Sequence, residues 1–283
     1  MTRPMTNVMS VDVEDYFQVG AFEHTIARSD WDRWPCRVEA NITRILELFS
    51  RHRVQATFFT LGWIAERYPH VIRNIVAAGH ELASHGYGHQ RVSHLSESEF
   101  REDVTRAKGV LEDIAGTAVK GYRAPSFSIG VNNLWALDIL QATGHRYSSS
   151  IYPIAHEHYG MPDAPRFPYR PQTCPALVEI PPTTVDWHGR NLPAAGGGYF
   201  RLMPYPLSRW LIGQVNRADQ RPAMFYFHPW EIDPEQPRIP NAPLKSRFRH
   251  YVNLNRMEAK LDRLCQDFRW GRADQVYATE LNA

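Results

Sequence analysis

Two histidines four residues apart are the most distinctive reactive side chains in this sequence. They are His85 and His89, and they lie in the segment S-H-G-Y-G-H. If the chain turns helically there, positions i and i+4 share a face, so both imidazoles could bind one metal ion. Both could also be ordinary surface histidines, because the chain has 13 of them. The pair alone therefore indicates a metal site without establishing it.

Three carboxylates near the start of the chain favour the metal interpretation. Asp12, Glu14 and Asp15 lie in S-V-D-V-E-D-Y-F, at the end of the first predicted strand. Like charges this close raise one another's pKa unless a cation or water relieves them. Two histidines and one carboxylate are a common ligand set of catalytic metals that keep an open coordination position. In a parallel barrel the carboxyl ends of all strands converge on one face, so residues 12–15 and 85–89 could meet there.

Two more chemically useful side chains follow apolar strands. Arg123 lies in G-Y-R-A-P-S, with Pro125 fixing the chain two residues on, and His228 lies in F-Y-F-H-P-W-E. Taken singly, an arginine at a strand end is more often a surface ion-pairing residue, and a single histidine is more often structural. Only their combination with the carboxylates and the histidine pair indicates a reaction centre.

The elements that must position these residues alternate between strands and helices. This alternation favours parallel strands, and about seven strands in one domain fit a barrel better than an open sheet. We predict a single α/β domain over residues 1–283, with a C-terminal helix at about 247–268 packing on the barrel and long loops at 152–175 and 183–204. The predicted strands are 8–13, 56–61, 80–85, 120–123, 146–150, 177–181 and 223–227, and further helices lie near 42–49, 69–79, 96–114, 131–143 and 206–218.

The composition of the chain limits the partners and the cellular compartment that we expect. The net charge of +2 gives no reason to expect a nucleic acid partner. Three widely spaced cysteines, Cys36, Cys174 and Cys265, indicate a reducing compartment rather than a disulfide framework. The sequence shows neither a signal peptide pattern nor an apolar run long enough to span a bilayer. We therefore expect a soluble, cytoplasmic protein without membrane insertion.

The order of these motifs resembles that of the polysaccharide deacetylase family, which includes chitin and peptidoglycan deacetylases. The motifs are the carboxylate cluster, H-x-x-x-H, R-x-P, the D-W pair and a late histidine on an apolar strand. V-D-V-E-D-Y-F, G-G-G-Y-F-R and F-H-P-W-E-I-D most resemble the branch associated with exosortase and exopolysaccharide gene clusters. The similarity covers nearly the whole chain. It implies a distorted (β/α) barrel and a hydrolase that removes N-acetyl groups from an amino-sugar glycan.

The resemblance also implies a metal and a general base. A divalent ion, usually Zn²⁺, would be held by His85, His89 and a carboxylate of the first motif, and it would polarise the acetyl carbonyl. Asp12 would be the base, and Arg123 would pair with it to keep it ionised.

The remaining implied roles concern the leaving group and the pocket. His228 would protonate the leaving amine, and Asp186 would orient its ring. The backbone N–H of Ser126, after Pro125, would stabilise the oxyanion. The acetyl and sugar pocket would be walled by Trp187 and neighbouring aromatic residues.

The third metal ligand is left open between two carboxylates. Side chains alternate along a strand, so Asp12 and Glu14 should project to one side and Asp15 to the other. If the strand stays extended through residue 14, Glu14 is the ligand, and this is the alternative we favour. If the chain turns at Val13, Asp15 takes the metal instead.

The chain departs from the common family pattern in three places, of which the second and third bear on substrate specificity more than on reaction type, and rival functions also stay open. The first motif is usually two adjacent aspartates followed by glycine, Ser126 stands where tyrosine is common, and Tyr226 replaces a leucine that would shape the acetate pocket. The rivals are another amidohydrolase, either cyclic-imide or allantoinase-like or a deformylase of a lipid-linked sugar, and a catalytically inactive carbohydrate-binding barrel.

Overall fold

The strands of the protein follow from short, buried apolar runs. The computed structural model describes residues 5–156 and 159–283. Each central strand is buried along its length, as expected for parallel strands covered by helices. The strands are β1 Thr6–Val13, β2 Thr57–Thr60, β3 Glu81–Ser84, β4 Gly121–Tyr122, β5 Tyr147–Ser148, β6 Val178–Glu179, β7 Thr184–Trp187, β8 Arg190–Pro193, β9 Met224–Phe227 and β10 Arg269–Gly271.

The helices follow the strands along the chain and cover the outside of the sheet. They are α1 Val38–His52, α2 Gly62–Arg67, α3 Pro69–Ala77, α4 Glu97–Ala115, α5 Trp135–Ala142, α6 Gly197–Leu202, α7 Tyr205–Gln214, α8 Leu244–Tyr251, α9 Leu254–Asp267, α10 Ala273–Val276 and α11 Ala278–Asn282. Within the described ranges no helix is both long and apolar enough to cross a lipid bilayer.

Seven parallel strands form a curled half-barrel in the order β9-β1-β2-β3-β4-β5-β6. The short strand β10 adds to the first part of β1, also in parallel. The antiparallel pair β7–β8 forms a separate hairpin. The predicted α/β class, with about seven parallel strands in a distorted barrel, is confirmed by this topology.

The period of two along β1 decides which side chains face the reaction centre. Met9, Val11 and Val13 pack into the large apolar cluster that includes α1 and α9. Val8 instead joins the side chains between the strands, among them Phe59 of β2. Asp12 is in phase with Val8, and its carboxylate contacts Arg123 across the strands. The pattern therefore turns a buried acid toward the inside of the half-barrel at the carboxyl end of β1.

One local prediction is confirmed and two are wrong. Ser96 and Glu99 form the predicted capping box at the start of α4. The segment 183–204 is not a continuous loop, because it contains the hairpin β7–β8 and helix α6. The predicted helix at 247–268 is two helices, α8 and α9. The chain breaks between them because Val252 is extended and Asn253 has a left-handed backbone with φ of 53°.

A buried carboxylate on β6 braces the segment after β5. Glu179 accepts hydrogen bonds of 2.7 Å from the backbone N–H groups of Ser150 and Ile151. The neighbouring Ser149 in turn accepts from Arg123 through its carbonyl and its hydroxyl. Burial raises the pKa of Glu179 to about 7, despite those hydrogen bonds. Glu179 therefore holds in place the segment that contains Ser149, the residue that accepts hydrogen bonds from Arg123.

Replacing Glu179 with Gln is expected to stabilise the protein at alkaline pH. The folded protein binds more protons at this residue than the unfolded chain between pH 4.5 and about 7, so its stability falls as pH rises through that window. The amide carries no charge and escapes this loss. We expect a gain of about 1 to 3 kcal/mol at pH 8 and none near pH 4.5, measured by urea unfolding. Burial also raises the pKa of Glu81 to about 7, which leaves a residual slope in both proteins. Equal stability of variant and wild type at pH 8 would contradict the expectation.

Candidate metal and catalytic site

A buried ion pair marks the inner wall of the site. Arg123 Nη1 donates to Asp12 Oδ1 at 2.6 Å, and the arginine is fully buried. The same guanidinium donates to Ser10 Oγ at 3.0 Å and to Ser149 Oγ at 3.0 Å, and it lies 4.0 Å from the ring centroid of Phe59. Neither charge is left without a partner, which a buried ion pair requires. Arg123 holds Oδ1 of Asp12 in place, and Oδ2 of Asp12 is left free of the arginine.

The histidine pair is held by its own loop. His85 follows β3 directly, and the loop to His89 passes through Gly86, whose φ is +75°. Asp103 of α4 accepts hydrogen bonds from the backbone N–H groups of Tyr87 at 3.0 Å and Gly88 at 3.3 Å. A Cβ on Gly86 would lie 2.7 Å from the Asp103 carboxylate, so this position needs glycine both for space and for its backbone angle.

The tautomer of His85 is fixed by a backbone carbonyl. His85 Nδ1 lies 2.7 Å from the carbonyl oxygen of Arg123, which can only accept a hydrogen bond. Nδ1 therefore carries the proton, and the lone pair is on Nε2, as in histidines that bind metals. Burial lowers the pKa of His85 to about 4, which keeps the ring neutral.

Glu14, His85 and His89 form a group with metal-site geometry. All three are buried, and one nitrogen or oxygen from each lies within 4.8 Å of the others. Glu14 Oε2 is 2.6 Å from His89 Nε2 and has no other polar partner among the described residues. Burial would raise the pKa of Glu14, but His89 and His228 lower it to about 2, so the carboxylate is ionised. A buried, charged oxygen facing two imidazoles fits a divalent cation.

The chain turns sooner than the extended alternative requires. β1 ends at Val13, and the N–H of Glu14 donates to the carbonyl of Asp12 at 3.0 Å, which closes a three-residue turn. The premise that the strand stays extended through residue 14 is therefore wrong. Glu14 nevertheless lies beside the histidines, and Trp230 Nε1 donates to its Oε1 at 3.3 Å.

Asp15 lies apart from the histidines, at the start of α1. Its Oδ2 accepts from the backbone N–H groups of Arg37 at 2.6 Å and Val38 at 3.0 Å, and from the thiol of Cys36 at 2.9 Å. Its Oδ1 accepts from the N–H of Tyr16 at 2.8 Å. Its Oδ2 is thus occupied by donors at the positive end of a helix.

His228 faces the carboxylates from the opposite side. Its Nε2 lies 3.9 Å from Asp12 Oδ2 and 3.6 Å from Glu14 Oε1. Its Nδ1 lies 2.8 Å from Oε1 of Glu231, three residues later, and Glu231 is paired with the buried Arg201 at 2.7 Å. Burial would lower the pKa of His228, but Glu14 and Glu231 raise it to about 9. The carboxylates on both sides of the ring therefore favour its protonated form.

The structure does not bring Asp186 and Trp187 to this histidine. Both lie on the β7–β8 hairpin, where Trp187 is 53% exposed and the exposed Asp186 accepts from the N–H of Gly189 at 3.3 Å. The partner of His228 is Glu231 instead, because residue 231 follows on the same turn and lies next to the ring. The sequence did signal this, since H-P-W-E places an acid three residues after the histidine.

An aromatic wall adjoins the ion pair. Tyr226 packs its ring 4.9 Å from Phe127 and 6.0 Å from His228. Pro125 begins a short 3-10 turn, in which Ser126 and Phe127 have positive φ of 56° and 51°. Such angles are costly for residues other than glycine and recur where a site fixes its backbone. A Cβ on Gly196 would lie 2.8 Å from the Tyr226 ring, so the glycine run lets this segment approach the wall.

Four further residues of the site escaped the sequence interpretation. Trp230 stacks on His228, with ring centroids 5.2 Å apart and 19° between the planes, and it donates to Glu14. Arg201 lies in G-G-G-Y-F-R but is joined to Glu231 only by the fold. Asp103 is one of many charged residues of α4, so the sequence did not set it apart. Glu231 had a signal in its spacing, whereas Arg201, Asp103 and the contact of Trp230 with Glu14 depend on residues distant in sequence.

Comparison with known families divides the chain into two matched parts. Residues 29–148 match the profile of the polysaccharide deacetylase family. Residues 149–278 match a domain of unknown function, DUF3473. The first match contains His85, His89 and Arg123, and the second contains His228 and Glu231.

Curated relatives match only part of this chain. A peptidoglycan-N-acetylglucosamine deacetylase of Bacillus cereus is 35% identical over 96 residues, which is 34% of this chain and 35% of that protein. A peptidoglycan deacetylase of Helicobacter pylori is 31% identical over 115 residues, 40% of this chain and 38% of the relative. A chitooligosaccharide deacetylase of a Bradyrhizobium species is 30% identical over 96 residues, 34% of this chain and 42% of the relative. The chain thus aligns with well under half the length of these relatives.

Solved structures share the fold along the whole chain. A structure from Mycobacterium smegmatis described as a candidate polysaccharide deacetylase superposes with a TM-score of 0.62 at 21% identity, covering 99% of this chain and 94% of that one. A mutant of a CE4-family pseudoenzyme with restored activity has a TM-score of 0.50 at 16% identity, covering 98% and 68%. This half-barrel therefore occurs with and without activity, so function has to be argued from side chains. The matched profile shows that residues 29–148 of this chain belong to the polysaccharide deacetylase family.

Proposed function

We propose that this protein is a metal-dependent hydrolase that removes N-acetyl groups from an amino-sugar glycan. The observation that carries the proposal is the group Glu14, His85 and His89, with the Asp12–Arg123 pair on one side and His228 on the other. Relatives named as deacetylases of peptidoglycan and of chitooligosaccharides support the same reaction and an N-acetylglucosamine-containing substrate.

Glu14, His85 and His89 would hold the metal, and zinc is the ion we propose. Two imidazoles and a carboxylate suit Zn²⁺ and leave open positions for substrate and water. When bound, the ion supplies Lewis-acid polarisation of the amide carbonyl and an activated water. Asp15 is not part of this proposal, because helix α1 uses its carboxylate.

The chain's own residues handle the protons. Asp12 accepts a proton from the attacking water, and Arg123 fixes the carboxylate and keeps it ionised. His228 gives a proton to the leaving amine through Nε2, while Glu231 holds the ring through Nδ1. The backbone N–H of Ser126, held in place after Pro125, would stabilise the oxyanion, and Tyr226 would line the acetate pocket in place of the usual leucine.

Acetate release tests the proposal directly. The purified full chain, with its metal content measured, is incubated with chitooligosaccharides and with peptidoglycan fragments, and acetate is quantified. We expect release that stops when the metal is chelated and returns when zinc is added. Release of another product, such as formate or an opened cyclic imide, would favour the amidohydrolase rivals. Glycan binding without turnover of any of these substrates would favour the inactive barrel.

Replacing Glu231 with Gln is expected to lower kcat about 10- to 100-fold with little change in KM, because the ring of His228 loses its anionic partner. Metal content should stay at the wild-type level. Asp186→Asn is the matched control and should keep wild-type kcat, since that carboxylate lies on an exposed hairpin. Glu231→Asp keeps an anionic partner for Arg201, and it tests whether a carboxylate at this position restores part of the activity that Glu231→Gln loses. A loss in Asp186→Asn that equals the loss in Glu231→Gln would contradict this assignment.

The proposed setting is exopolysaccharide biosynthesis in the cytoplasm. Two observations support it: the resemblance of V-D-V-E-D-Y-F and F-H-P-W-E-I-D to the exopolysaccharide-associated branch, and three cysteines that are all free thiols. Fractionation of cells that express the full gene tests the compartment, and recovery of the protein outside the cytoplasm and inner membrane fractions would contradict it.

A further inference from the structure

Helix α8 turns two large apolar side chains toward solvent. Leu244 is 81% exposed and Phe248 is 63% exposed. The two are four residues apart, so they lie side by side on one face of the helix. His250 is buried and Ser246 is partly buried on the opposite face. The outward position of the apolar pair is therefore fixed by the packing of the helix, and it is not an effect of a loose chain end.

The same helix carries only positive charge. Lys245, Arg247 and Arg249 are exposed, and the helix L-K-S-R-F-R-H-Y contains no acid. At 100° per residue, Lys245 and Arg249 flank the apolar pair on one side and Arg247 flanks it on the other. The exposed Arg238 precedes the helix in the sequence. An apolar ridge between cations is the pattern of helices that lie in the interface of anionic membranes.

This helix is attached to the proposed reaction centre. The ring of His250 stacks on Trp230, with centroids 4.1 Å apart and 15° between the planes, and Trp230 stacks on His228. Arg201, which pairs with Glu231, also donates to the backbone carbonyls of Arg249 and His250. The inner face of α8 is therefore joined through Trp230 to the proposed catalytic histidine.

We propose that α8 docks this protein on an anionic membrane surface. Leu244 and Phe248 enter the boundary between headgroups and acyl chains, and the three cations contact acidic headgroups. The inference does not depend on the proposed reaction. A second copy of this chain fits the face poorly, because a symmetric contact would place two all-positive helices together. A soluble acidic glycan could pair with the cations of α8, but it would leave the exposed leucine without an apolar contact.

Vesicle binding of the full chain tests the proposal. Sedimentation is compared for vesicles of phosphatidylcholine alone and of phosphatidylcholine mixed with phosphatidylglycerol. We expect binding to the anionic vesicles that weakens as salt is raised. The double variant Leu244→Ser, Phe248→Ser should lower the partition coefficient at least about tenfold, which is the scale of removing two inserted apolar side chains. Each of Lys245→Gln, Arg247→Gln and Arg249→Gln should lower it about fivefold.

Matched controls separate docking from folding and from catalysis. Val131→Ser removes a 69% exposed apolar side chain elsewhere, and Arg101→Gln removes an exposed cation of α4; both should bind like wild type. The α8 variants should keep the wild-type Tm and the wild-type rate on short chitooligosaccharides, whatever that rate is. Equal binding to neutral and anionic vesicles, or unchanged binding of the double variant, would overturn the proposal. A change of oligomeric state in the double variant without a change in vesicle binding would overturn it too, in favour of a contact between copies.

Discussion

Replacing His85 with Ala is expected to remove bound zinc and to reduce acetate release to background. His85 Nε2 carries the lone pair that faces the metal group, and its Nδ1 proton is committed to the Arg123 carbonyl, so no other atom can take its place. His89→Ala should behave in the same way. Metal content is measured by mass spectrometry of the purified protein, and acetate release is measured on the same samples. Full activity of either variant, or of wild type after exhaustive chelation, would contradict the metal assignment.

Substitutions of Glu14 and Asp15 test which carboxylate completes the metal group. Glu14→Gln should weaken zinc binding about tenfold or more, because the charged oxygen beside His89 is lost. Asp15→Asn should leave zinc affinity unchanged and lower Tm, since its carboxylate accepts the N–H groups at the start of α1. His24→Ala is a control for a histidine that is 92% exposed. If Asp15→Asn loses zinc and Glu14→Gln keeps it, Asp15 is the ligand.

Replacing Asp12 with Asn is expected to lower kcat about 10²- to 10⁴-fold while zinc remains bound. The amide has the shape of the carboxylate, and its oxygen can still accept from Arg123, but it cannot take a proton from water. The loss should appear in kcat rather than in KM, because the substrate pocket is unchanged. Steady-state acetate release and zinc content of the same preparation check this expectation.

The controls for Asp12 address the buried arginine. Arg123 keeps hydrogen bonds to Ser10 and Ser149 in the variant, so the fold should survive, although a buried charge without its counter-ion lowers stability. Ser10→Ala removes one of these hydrogen bonds and leaves the base in place, and it should cost far less activity than Asp12→Asn. Wild-type turnover of Asp12→Asn would show that the base lies elsewhere.

The histidine partner shows where sequence reasoning failed and why. Asp186 was predicted to orient His228 because the D-W motif of the family was matched to Asp186 and Trp187. In the fold those residues form the exposed end of a hairpin. Glu231 takes the contact because a 3-10 turn from Pro229 to Ile232 returns it to the ring three residues earlier. A matching dipeptide does not determine where its side chains point.

The sequence by itself determined the parts of this protein that depend on local spacing. The alternation of apolar runs and helical segments predicted a parallel α/β barrel. The four-residue interval of His85 and His89 predicted a metal pair, and period-2 alternation predicted that Asp12 and Asp15 project to opposite sides of the strand. Each rests on interactions between residues close in the chain, where geometry follows from the backbone period.

The tertiary structure alone decided which side chains complete the site. The use of Asp15 by α1 and the pairing of Arg201 with Glu231 join elements that lie far apart in sequence. The outward position of Leu244 and Phe248 likewise depends on the packing of the opposite face of α8, where His250 stacks on Trp230. Contacts of this kind are set by burial and charge pairing across the whole fold, and no local pattern records them.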